Sequence, residues 1–572
     1  MEGVSIVRSD RLIGNRGRDL AILLSIPIVW IIAEWIIDPR GDFPLNDDWA
    51  FGISVQRMLA GDGFQPGPLP QMSLFSHVVW GALVCLPFEC SFQILRTSTI
   101  LTGVISTYGT YFLLREVGSR RDAAAIGAYS VGFNPLHVVL ANSFMTDIPF
   151  MAITTVAMLF YIRFIRTRCD RWLVVGTVLA IVATLSRQIA IAIPIALAFT
   201  LIWSDGLRRT TWSRILLPST AAILAFVTLE LFLWVNGTLP EPQKSASTSL
   251  LLILYSPFQT IRSMIGQGSI MVLYFGWFLL PVLLLVPVDR VWRHLPSVTA
   301  RVLTISGTLA LGLLGTWAMV STGHLMPSGM NVIVPQGIGP LTLHDSYPYG
   351  SGTLNLHSIP DLPALFWMGI SIISVVGAMM LAFASLAWLA RLATGYRVKL
   401  ESDDLTQIFL IMSCLLYLGP AMIINWYDRY LLPAVPWVLA FLCMTAAATE
   451  TGRGRYFQQS ASVAVLCITA IFSVAGTGDY LAWNRARWIA LSDLLVSGVV
   501  TPGQVDGGLE FNGMHFGNKP YQPVPGKSWW WVIDDLYVVA LGPIPGWPVA
   551  AEYPYRSWLH PGVGRILVLK HP

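Results

Sequence analysis

The chain has 572 residues, of which 54% are hydrophobic and only 12% are charged. Its mean hydropathy of +0.62 is too high for a wholly soluble protein of this length. The formal net charge is +4, but the basic residues are spread over short segments between apolar runs, so the charge gives no reason to expect a nucleic-acid partner. These properties predict a mainly α-helical, polytopic membrane protein.

Apolar segments long enough to cross a membrane, which takes roughly 20 residues each, recur along the chain. Arginine clusters lie between alternate segments, and because positive charge favours the cytoplasmic side, they predict a cytoplasmic N-terminus. An odd number of spans then puts the C-terminal residues on the outer side. We expect about thirteen spans, at 20–37, 94–114, 123–141, 148–165, 172–185, 189–204, 215–235, 268–287, 301–320, 363–390, 405–424, 430–448 and 460–476.

One apolar stretch, 72–88, is left out of this count. If it crossed the membrane, Arg120 and Arg121 would fall on the outer side and the alternation of charge would break. Its serines, prolines and His77 suit an element at the membrane surface instead. We therefore expect it to belong to a long first outer loop, 38–93.

The composition changes after about residue 476, where Gly, Pro and Trp become frequent. The patterns there predict a small soluble α/β domain at 477–572, following a transmembrane domain at 1–476. They are a helical pattern at 479–496, a turn-rich stretch at 501–513, and strand-like stretches at 536–541 and 565–569.

Neither the cysteines nor the histidines show the spacing of a metal site. A second outer loop, 321–362, is too long to be a simple connection. Its polar residues are irregularly spaced and include His324, His344, Asp345 and His357. Because the cysteines are scattered along the chain, we expect no disulfide framework. They are Cys85, Cys90, Cys169, Cys414, Cys443 and Cys467.

Asp47 and Asp48 are adjacent carboxylates just after the first predicted span. A charge near hydrocarbon is costly unless it meets water, a partner or a substrate. One interpretation is a helix start, with Asn46 as the N-cap and an acidic first turn. The other is a chemical site, and the segment alone leaves both open.

Three further charged residues, Asp147, Arg187 and Arg429, are predicted on the same outer side. Each has a simple structural alternative. Asp147 could cap a helix, Arg187 could extend its head group to the membrane surface, and Arg429 could pair with the neighbouring Asp428. Because outer-side arginines run against the usual charge bias, the combination favours a site over three separate structural roles.

Three short motifs, in this order along the chain, resemble those of the GT-C glycosyltransferases. The similarity is greatest to the branch of protein mannosyltransferases and aminoarabinose transferases. The motifs span positions 47 to 436, and so cover the membrane part of the chain. They are Asp47-Asp48 with Phe51 and Arg57 to Asp62, then Met145-Thr146-Asp147-Ile148-Pro149, and finally Arg429-Tyr430-Leu431-Leu432-Pro433-Ala434-Val435-Pro436.

This resemblance implies an inverting hexosyl- or pentosyltransferase of GT-C type. Such an enzyme moves a sugar from a polyprenyl-phosphate-linked donor to a glycan, lipid or protein acceptor at the outer face. In the family pattern Asp47 corresponds to the base, while Asp48 and Asp147 correspond to supporting acidic positions. The chemistry agrees, because a hydroxyl or amine becomes a good nucleophile when a carboxylate takes its proton.

The leaving phosphate keeps its charge, so Arg187 and Arg429 are expected to hold it. Tyr427, Tyr430 and His77 are expected to contact substrate. For His77 a packing role is the alternative, since a lone histidine in an apolar stretch often serves only the core.

The implied partners are membrane lipid, the lipid-linked donor and the acceptor. The implied location is the inner (plasma) membrane, with the catalytic face towards the periplasm or the exterior. Relatives of this branch need no cofactor, although paired acids leave a divalent cation, Mg²⁺ or Mn²⁺, as an alternative. In the C-terminal domain, 507–513 and 528–531 could face an acceptor sugar or line a packed core.

The sequence departs from the aminoarabinose branch at 67–73. That branch has an acidic-basic-Pro triplet there, whereas this chain reads Gly-Pro-Leu-Pro-Gln-Met-Ser. Recognition of the donor's sugar is therefore not predicted from the motifs.

Other functions remain as alternatives. A transporter or flippase would place ionisable groups inside the spans, where Glu34 and Glu230 are the main examples. A non-catalytic cell-envelope assembly protein and a hydrolase that uses water as the acceptor are the others.

Overall fold

The computed structural model describes most of the chain. His324, His344, Asp345 and His357 of the predicted second outer loop lie outside the described residues, as do 528–530. The described ranges are 16–67, 69–206, 209–240, 243, 256–322, 326–327, 331–343, 359–395, 401–423, 426–445, 453–498, 500–517, 531–532 and 534–572.

Helices make up most of the described chain. Short 3₁₀ helices occupy Gln188–Ile191, Asp428–Ala434 and Pro502–Gln504. The α-helices are α1 (Arg16–Ile37), α2 (Asp48–Ala60), α3 (Phe75–Cys85), α4 (Phe92–Glu116), α5 (Arg121–Gly132), α6 (Pro135–Ala141), α7 (Asp147–Thr167), α8 (Asp170–Ser186), α9 (Ala192–Asp205), α10 (Arg209–Val235), α11 (Pro257–Leu283), α12 (Val288–Arg293), α13 (Val298–Thr322), α14 (Ala364–Gly395), α15 (Ser402–Ile423), α16 (Val435–Thr445), α17 (Arg453–Val496) and α18 (Leu509–Phe516).

Nine helices within the described ranges are long and apolar enough to cross a membrane, and the bent pair α5 and α6 could form a tenth span. This confirms a mainly α, polytopic membrane protein. The predicted number of about thirteen is not confirmed. The segments predicted at 94–114, 172–185 and 430–448 do contain helices, but α4 carries Arg96 and Arg115, α8 has 17 residues and α16 has 11.

Helix α3 falls within the stretch that was left out of the count. With 11 residues, it is about 16 Å long, which is too short for a hydrocarbon core of about 30 Å. It agrees with the prediction of a surface element.

The segment predicted as one helix at 123–141 is broken. Helices α5 and α6 meet at an angle of 58°. The Asn134 side chain accepts a hydrogen bond from the Leu136 amide at 3.0 Å, and Pro135 starts α6. An N-cap followed by proline favours a new helix over continuation of the old one.

The prediction of separate helices at 460–476 and 479–496 is wrong, because α17 runs through 44 residues without a break. Gly476 lies within it, where a β-carbon would be 2.7 Å from the Ile338 side chain. That glycine therefore permits close packing and does not end the helix. The predicted domain boundary at 477 falls inside α17.

A small sheet follows α17 and confirms the α/β character of the C-terminal region. Its order is β3 (Val505–Asp506), β4 (Tyr537–Ala540), β6 (Gly562–Lys570), β5 (Val549–Ser557), with β3 and β4 parallel and the other pairs antiparallel. The prediction missed β5, an edge strand that contains Pro554. The stretch predicted as turn-rich, 501–513, also contains β3 and the start of α18. A separate hairpin pairs β1 (Ile333–Val334) with β2 (Gly337–Ile338).

The expectation of no disulfide framework is wrong for one pair. Cys85 and Cys90 form a disulfide across the turn that follows α3. Their separation of five residues closes a tight loop, which spacing alone did not suggest. Cys169, Cys414, Cys443 and Cys467 are free.

Two of the predicted basic clusters, 115–121 and 163–171, lie together at one end of α7. Arg163 near the end of α7 pairs with Glu116 at 2.7 Å, and Arg168 pairs with Asp205 at 2.9 Å. Asp147 is at the opposite end of α7. The structure therefore separates the arginine clusters from the predicted site by the length of a long helix.

Candidate active site

Residues 38–47, called the first loop from here on, join α1 to α2. The side chain of Arg96 in α4 binds the backbone of this loop. This buried guanidinium donates to the carbonyl oxygens of Pro39, Gly41 and Phe43 at 2.8, 2.9 and 2.7 Å. It also lies over the Phe43 ring, 4.6 Å from its centroid. Several charge-assisted bonds to one short segment give the loop a fixed backbone.

Asp47 occupies the N-cap position of α2, one residue later than predicted, and makes no side-chain cap bond. Asn46 precedes it in the left-handed region, with φ of 54°. The Asp47 carboxylate instead faces Arg429, with Oδ2 3.0 Å from Nη2. It keeps 29% of its side-chain surface exposed. Asp47 therefore stands at a helix start and also pairs with a buried arginine.

Asp48 is buried and accepts two backbone hydrogen bonds. Its Oδ1 accepts from the Leu45 amide at 2.6 Å and its Oδ2 from the Phe144 amide at 2.9 Å. Burial raises the pKa of Asp48 to about 8, against the lowering effect of these N–H groups and of Arg96. The geometry gives Asp48 a structural role, which joins the start of α2 to the segment before α7.

Asp147 and Arg187 form a buried ion pair. Asp147 Oδ1 lies 2.9 Å from Arg187 Nη1, with 0% and 6% of the two side chains exposed. Thr146, and not Asp147, is the N-cap of α7, and Arg187 is the buried residue that ends α8. The helix-cap and membrane-surface alternatives are therefore wrong for these two residues.

Tyr430 connects the two ion pairs. The guanidinium carbon of Arg187 lies 5.5 Å from the Tyr430 ring centroid, and that of Arg429 lies 5.7 Å from it. Both distances are within the range of cation–π attraction. Tyr427 is 42% exposed, and its ring centroid is 5.4 Å from the Arg429 guanidinium carbon. Arg187, Arg429, Tyr427 and Tyr430 thus form one continuous cluster beside Asp47.

Arg429 does not pair with its neighbour Asp428. The Asp428 carboxylate accepts instead from the backbone amides of Ile333, at 2.7 Å, and Arg429, at 2.8 Å. Arg429 is only 4% exposed, and its Nε and Nη1 have no hydrogen-bond partner among the described residues. A buried guanidinium with two unused donors is suited to an anionic oxygen.

His77 is bonded to Phe144 and not to this cluster. Its Nε2 donates to the Phe144 carbonyl oxygen at 3.1 Å, and its ring stacks on Phe144 with centroids 4.1 Å apart. Burial lowers the pKa of His77 to about 4, so it is neutral at pH 7. These contacts favour the packing alternative.

The structure therefore brings together side chains from four separate parts of the chain, namely Asp47, Asp147, Arg187, and the segment with Tyr427, Arg429 and Tyr430. Asp48 and His77 support it through the Phe144 backbone. Sequence reasoning missed Arg96 and the buried pair of Arg487 and Glu510, 2.7 Å apart. Arg96 and Arg487 could have been found from the sequence, because each is a charged residue on the apolar face of a predicted helix.

No group of three or more His, Cys, Asp or Glu side chains within the described ranges is arranged to hold a metal ion. Asp47 and Asp147 each face an arginine. Use of a divalent cation stays an untested alternative.

Residues 82–234 match the model of the dolichyl-phosphate-mannose-protein mannosyltransferase family. This match confirms the resemblance to GT-C glycosyltransferases. It contains Asp147 and Arg187, whereas Asp47 and Arg429 lie on either side of it. No curated protein matches the chain.

Solved structures with a similar course of the chain include two membrane transferases. ArnT from Cupriavidus metallidurans, bound to undecaprenyl phosphate, is 13% identical over 97% of this chain and 98% of its own, with a TM-score of 0.45. The Archaeoglobus fulgidus oligosaccharyltransferase, tethered to an acceptor peptide, is 14% identical over 82% of this chain, with a TM-score of 0.41. The present chain covers 57% of that enzyme. At these values the similarity says nothing about substrates.

Proposed function

We propose that this protein is a membrane glycosyltransferase that moves a sugar from a polyprenyl-phosphate-linked donor to an acceptor hydroxyl or amine. The observation that carries the proposal is the pairing of a partly exposed carboxylate, Asp47, with a buried arginine, Arg429, whose Nε and Nη1 have no hydrogen-bond partner among the described residues. A base for the acceptor and a cation for the leaving phosphate then lie side by side. The family match to protein mannosyltransferases supports the same reaction class.

In the proposed reaction Asp47 takes the proton of the acceptor as its oxygen or nitrogen attacks the anomeric carbon. The bond from that carbon to the phosphate oxygen breaks, and polyprenyl phosphate leaves with the electron pair. A retaining mechanism would need a second carboxylate free to act as a nucleophile. Asp48 and Asp147 are buried and engaged, so a single displacement with inversion fits better.

The phosphate would be held by Arg429 through its unused N–H groups. Arg187 also lies close to the Tyr430 ring and adds positive charge there. Because the leaving group gains charge as the bond breaks, fixed cations at this point stabilise the transition state more than the ground state. Tyr427 and Tyr430 would present their rings to the sugar or the lipid phosphate.

The proposed location is the inner (plasma) membrane, with the site towards the periplasm or the exterior. The arginine clusters lie at the opposite end of α7 from Asp147, as the positive-inside rule requires for an outward-facing site. The Cys85–Cys90 disulfide lies in the segment between Asp47 and α4, and disulfides persist mainly in oxidising compartments.

The proposal is tested with purified protein in lipid nanodiscs and a panel of labelled polyprenyl-phosphate hexoses and pentoses. Mass spectrometry should detect glycosylated acceptor together with free polyprenyl phosphate, and only when an acceptor is present. Release without acceptor would indicate hydrolysis. No release from any donor, together with movement of the intact lipid between leaflets of vesicles, would contradict the proposal in favour of a flippase.

A further inference from the structure

Arg487 and Glu510 form a fully buried ion pair in the C-terminal region. Arg487 Nη2 lies 2.7 Å from Glu510 Oε2, and both side chains are 0% exposed. Arg487 also donates from Nη2 to the Gly507 carbonyl oxygen at 2.7 Å. Burying two charges is costly, so such a pair often has a role beyond stability.

Glu510, in α18, contacts the first loop. Its Oε1 accepts from the Asn46 backbone amide at 2.8 Å, although the two residues are 464 positions apart. The same oxygen accepts from the Thr342 hydroxyl at 2.9 Å. Helix α18, the segment after β2 and the first loop therefore meet at one carboxylate oxygen.

The residue held by Glu510 directly precedes Asp47. Asn46 has a left-handed backbone, which only glycine and a few residues such as asparagine adopt readily. A hydrogen bond to its amide fixes the Leu45–Asn46 peptide plane, one residue before Asp47. Arg96 holds the Phe43 carbonyl group and Asp48 holds the Leu45 amide on the N-terminal side of that plane. The Asp47 side chain itself is left to face Arg429.

Packing between the same two elements is equally close. Trp49, two residues after Asp47, is 1% exposed and lies against α18. A β-carbon at Gly513 would lie 2.5 Å from the Trp49 ring, and one at Gly517 would overlap it. The Trp531 ring meets Trp49 edge to face at 5.8 Å. The two glycines allow α18 to approach the start of α2 directly.

We infer that Glu510 is a positioning residue for Asp47, and that α18 is part of the scaffold of the active site. The catalytic part of the inference rests on the proposed function. The contact between Glu510 and the Asn46 amide does not depend on that function. Loss of the Glu510 carboxylate should let the Asn46 peptide rotate. A displacement of about 1 Å at a reacting group can cost about a hundredfold in rate.

Glu510→Ala alone would leave Arg487 buried without a partner and could prevent folding. The test therefore uses the double variant Arg487→Met with Glu510→Met, which removes both charges at similar volume. Thr342→Val is the milder second variant, since it removes one partner of Glu510 without touching a charge. Glu552→Gln is the matched control, because Glu552 forms an exposed ion pair with Arg565 in the C-terminal sheet.

Hydrogen–deuterium exchange of the full-length protein measures the contact without any activity. Peptides covering 43–52 should exchange faster in the double variant and in Thr342→Val, and at the wild-type rate in Glu552→Gln. Unchanged exchange at 43–52 in the two test variants would overturn the contact.

Kinetics then measure the positioning. The double variant should lower kcat about tenfold to a hundredfold with donor KM within about twofold of wild type, because Arg187 and Arg429 are untouched. Thr342→Val should lower kcat less, in the same direction. An unchanged kcat, or a parallel change in kcat and donor KM, would overturn the positioning role. If the wild-type protein transfers no sugar, the proposed function fails, and the exchange result still decides whether Glu510 holds the first loop.

Discussion

Adjacent aspartates serve different purposes at residue scale. Asp48 turns inward and gives both oxygens to backbone amides, whereas Asp47 turns towards Arg429 and keeps part of its surface exposed. Asp48 is only 2% exposed, so an incoming substrate cannot reach its carboxyl group. Only Asp47 of the two is placed to act as a base.

Asp47→Asn should abolish transfer and leave folding almost unchanged. Loss of a positioned base typically lowers the rate about a hundredfold to ten-thousandfold. Asp47 makes no side-chain cap bond, and the asparagine amide oxygen can still accept the hydrogen bond from Arg429 Nη2, so Arg429 is not left without a partner. Initial rates with saturating donor, together with thermal stability in detergent, check this. Wild-type turnover in the variant would remove Asp47 from the mechanism.

Arg429→Ala and Arg187→Ala should each weaken use of the lipid donor. A charge-assisted hydrogen bond contributes roughly 1.5–3 kcal/mol, which corresponds to a fall of about tenfold to a hundredfold in kcat/KM for the donor. Arg40→Ala is the control, since Arg40 lies in the same first loop with 83% of its side chain exposed. If kcat/KM for the donor stayed at the wild-type value in both single variants and in their double variant, the arginines would not bind the phosphate.

The buried His77 predicts how stability depends on pH. Its folded-state pKa of about 4 lies below its ordinary value of 6.5, because burial disfavours the imidazolium. Between these values the unfolded chain binds a proton and the folded protein does not, so stability falls as the pH drops from about 6.5 to 4. The melting temperature of His77→Gln should fall less over this range than that of wild type. Equal slopes would contradict the assignment.

Helices α11 and α14 show how closely two spans can approach at the scale of elements. A β-carbon at Gly377 would overlap the Gly276 carbonyl group, and one at Gly276 would overlap the Ser374 carbonyl oxygen. The backbones are thus in direct contact. Small residues at a crossing point are a common basis for helix packing within lipid, where the hydrophobic effect contributes little.

Gly377→Ala should therefore destabilise the protein even though alanine favours helices. Forcing an extra methyl group into a packed site costs about 1–3 kcal/mol, and here the obstacle is backbone that cannot move aside. Gly369→Ala, in the same helix, is the control, because a β-carbon there meets nothing within 4 Å. Thermal unfolding in one detergent should show a lower midpoint for the first variant only. A similar midpoint for both would refute the close crossing.

The long elements were largely predictable from sequence, and their interruptions were not. Apolar runs gave α1, α7 and α10 nearly in full because burial in lipid requires continuous hydrophobicity. The break before Pro135 and the continuity of α17 through Gly476 depend on neighbours that the local sequence does not specify. Edge strand β5 was missed because its burial alternates weakly and it contains Pro554.

At the scale of the whole molecule, the sequence predicts which residues belong to the site. It does not predict which of them contact each other. Charge alternation placed Asp47, Asp147, Arg187 and Arg429 on one side. It could not pair Asp47 with Arg429, 382 positions away, or separate the roles of Asp47 and Asp48. Those facts depend on packing among four chain segments. Glu510 was missed for the same reason, since nothing near it in sequence points to Asn46.

Sidedness is tested with single cysteines in a background that lacks the four free cysteines and keeps the Cys85–Cys90 disulfide. Exposed positions are Asp62 after α2, Thr167 at the end of α7 and Lys570 at the end of β6. A membrane-impermeant thiol reagent should label cysteine at 62 and 570 in intact cells, and at 167 only after the membrane is opened. Labelling at 167 with protection at 570 would place the proposed site in the cytoplasm.

Helix α17 is about 66 Å long at 1.5 Å per residue, more than twice the thickness of a hydrocarbon core. One continuous rod therefore carries the C-terminal sheet on its far half. A rod of this kind has no hinge at the membrane surface, so the sheet and α18 can move only if the whole helix tilts. We expect acceptors to enter and leave through motions of the connecting loops, with the sheet region following the bundle as a rigid extension of it.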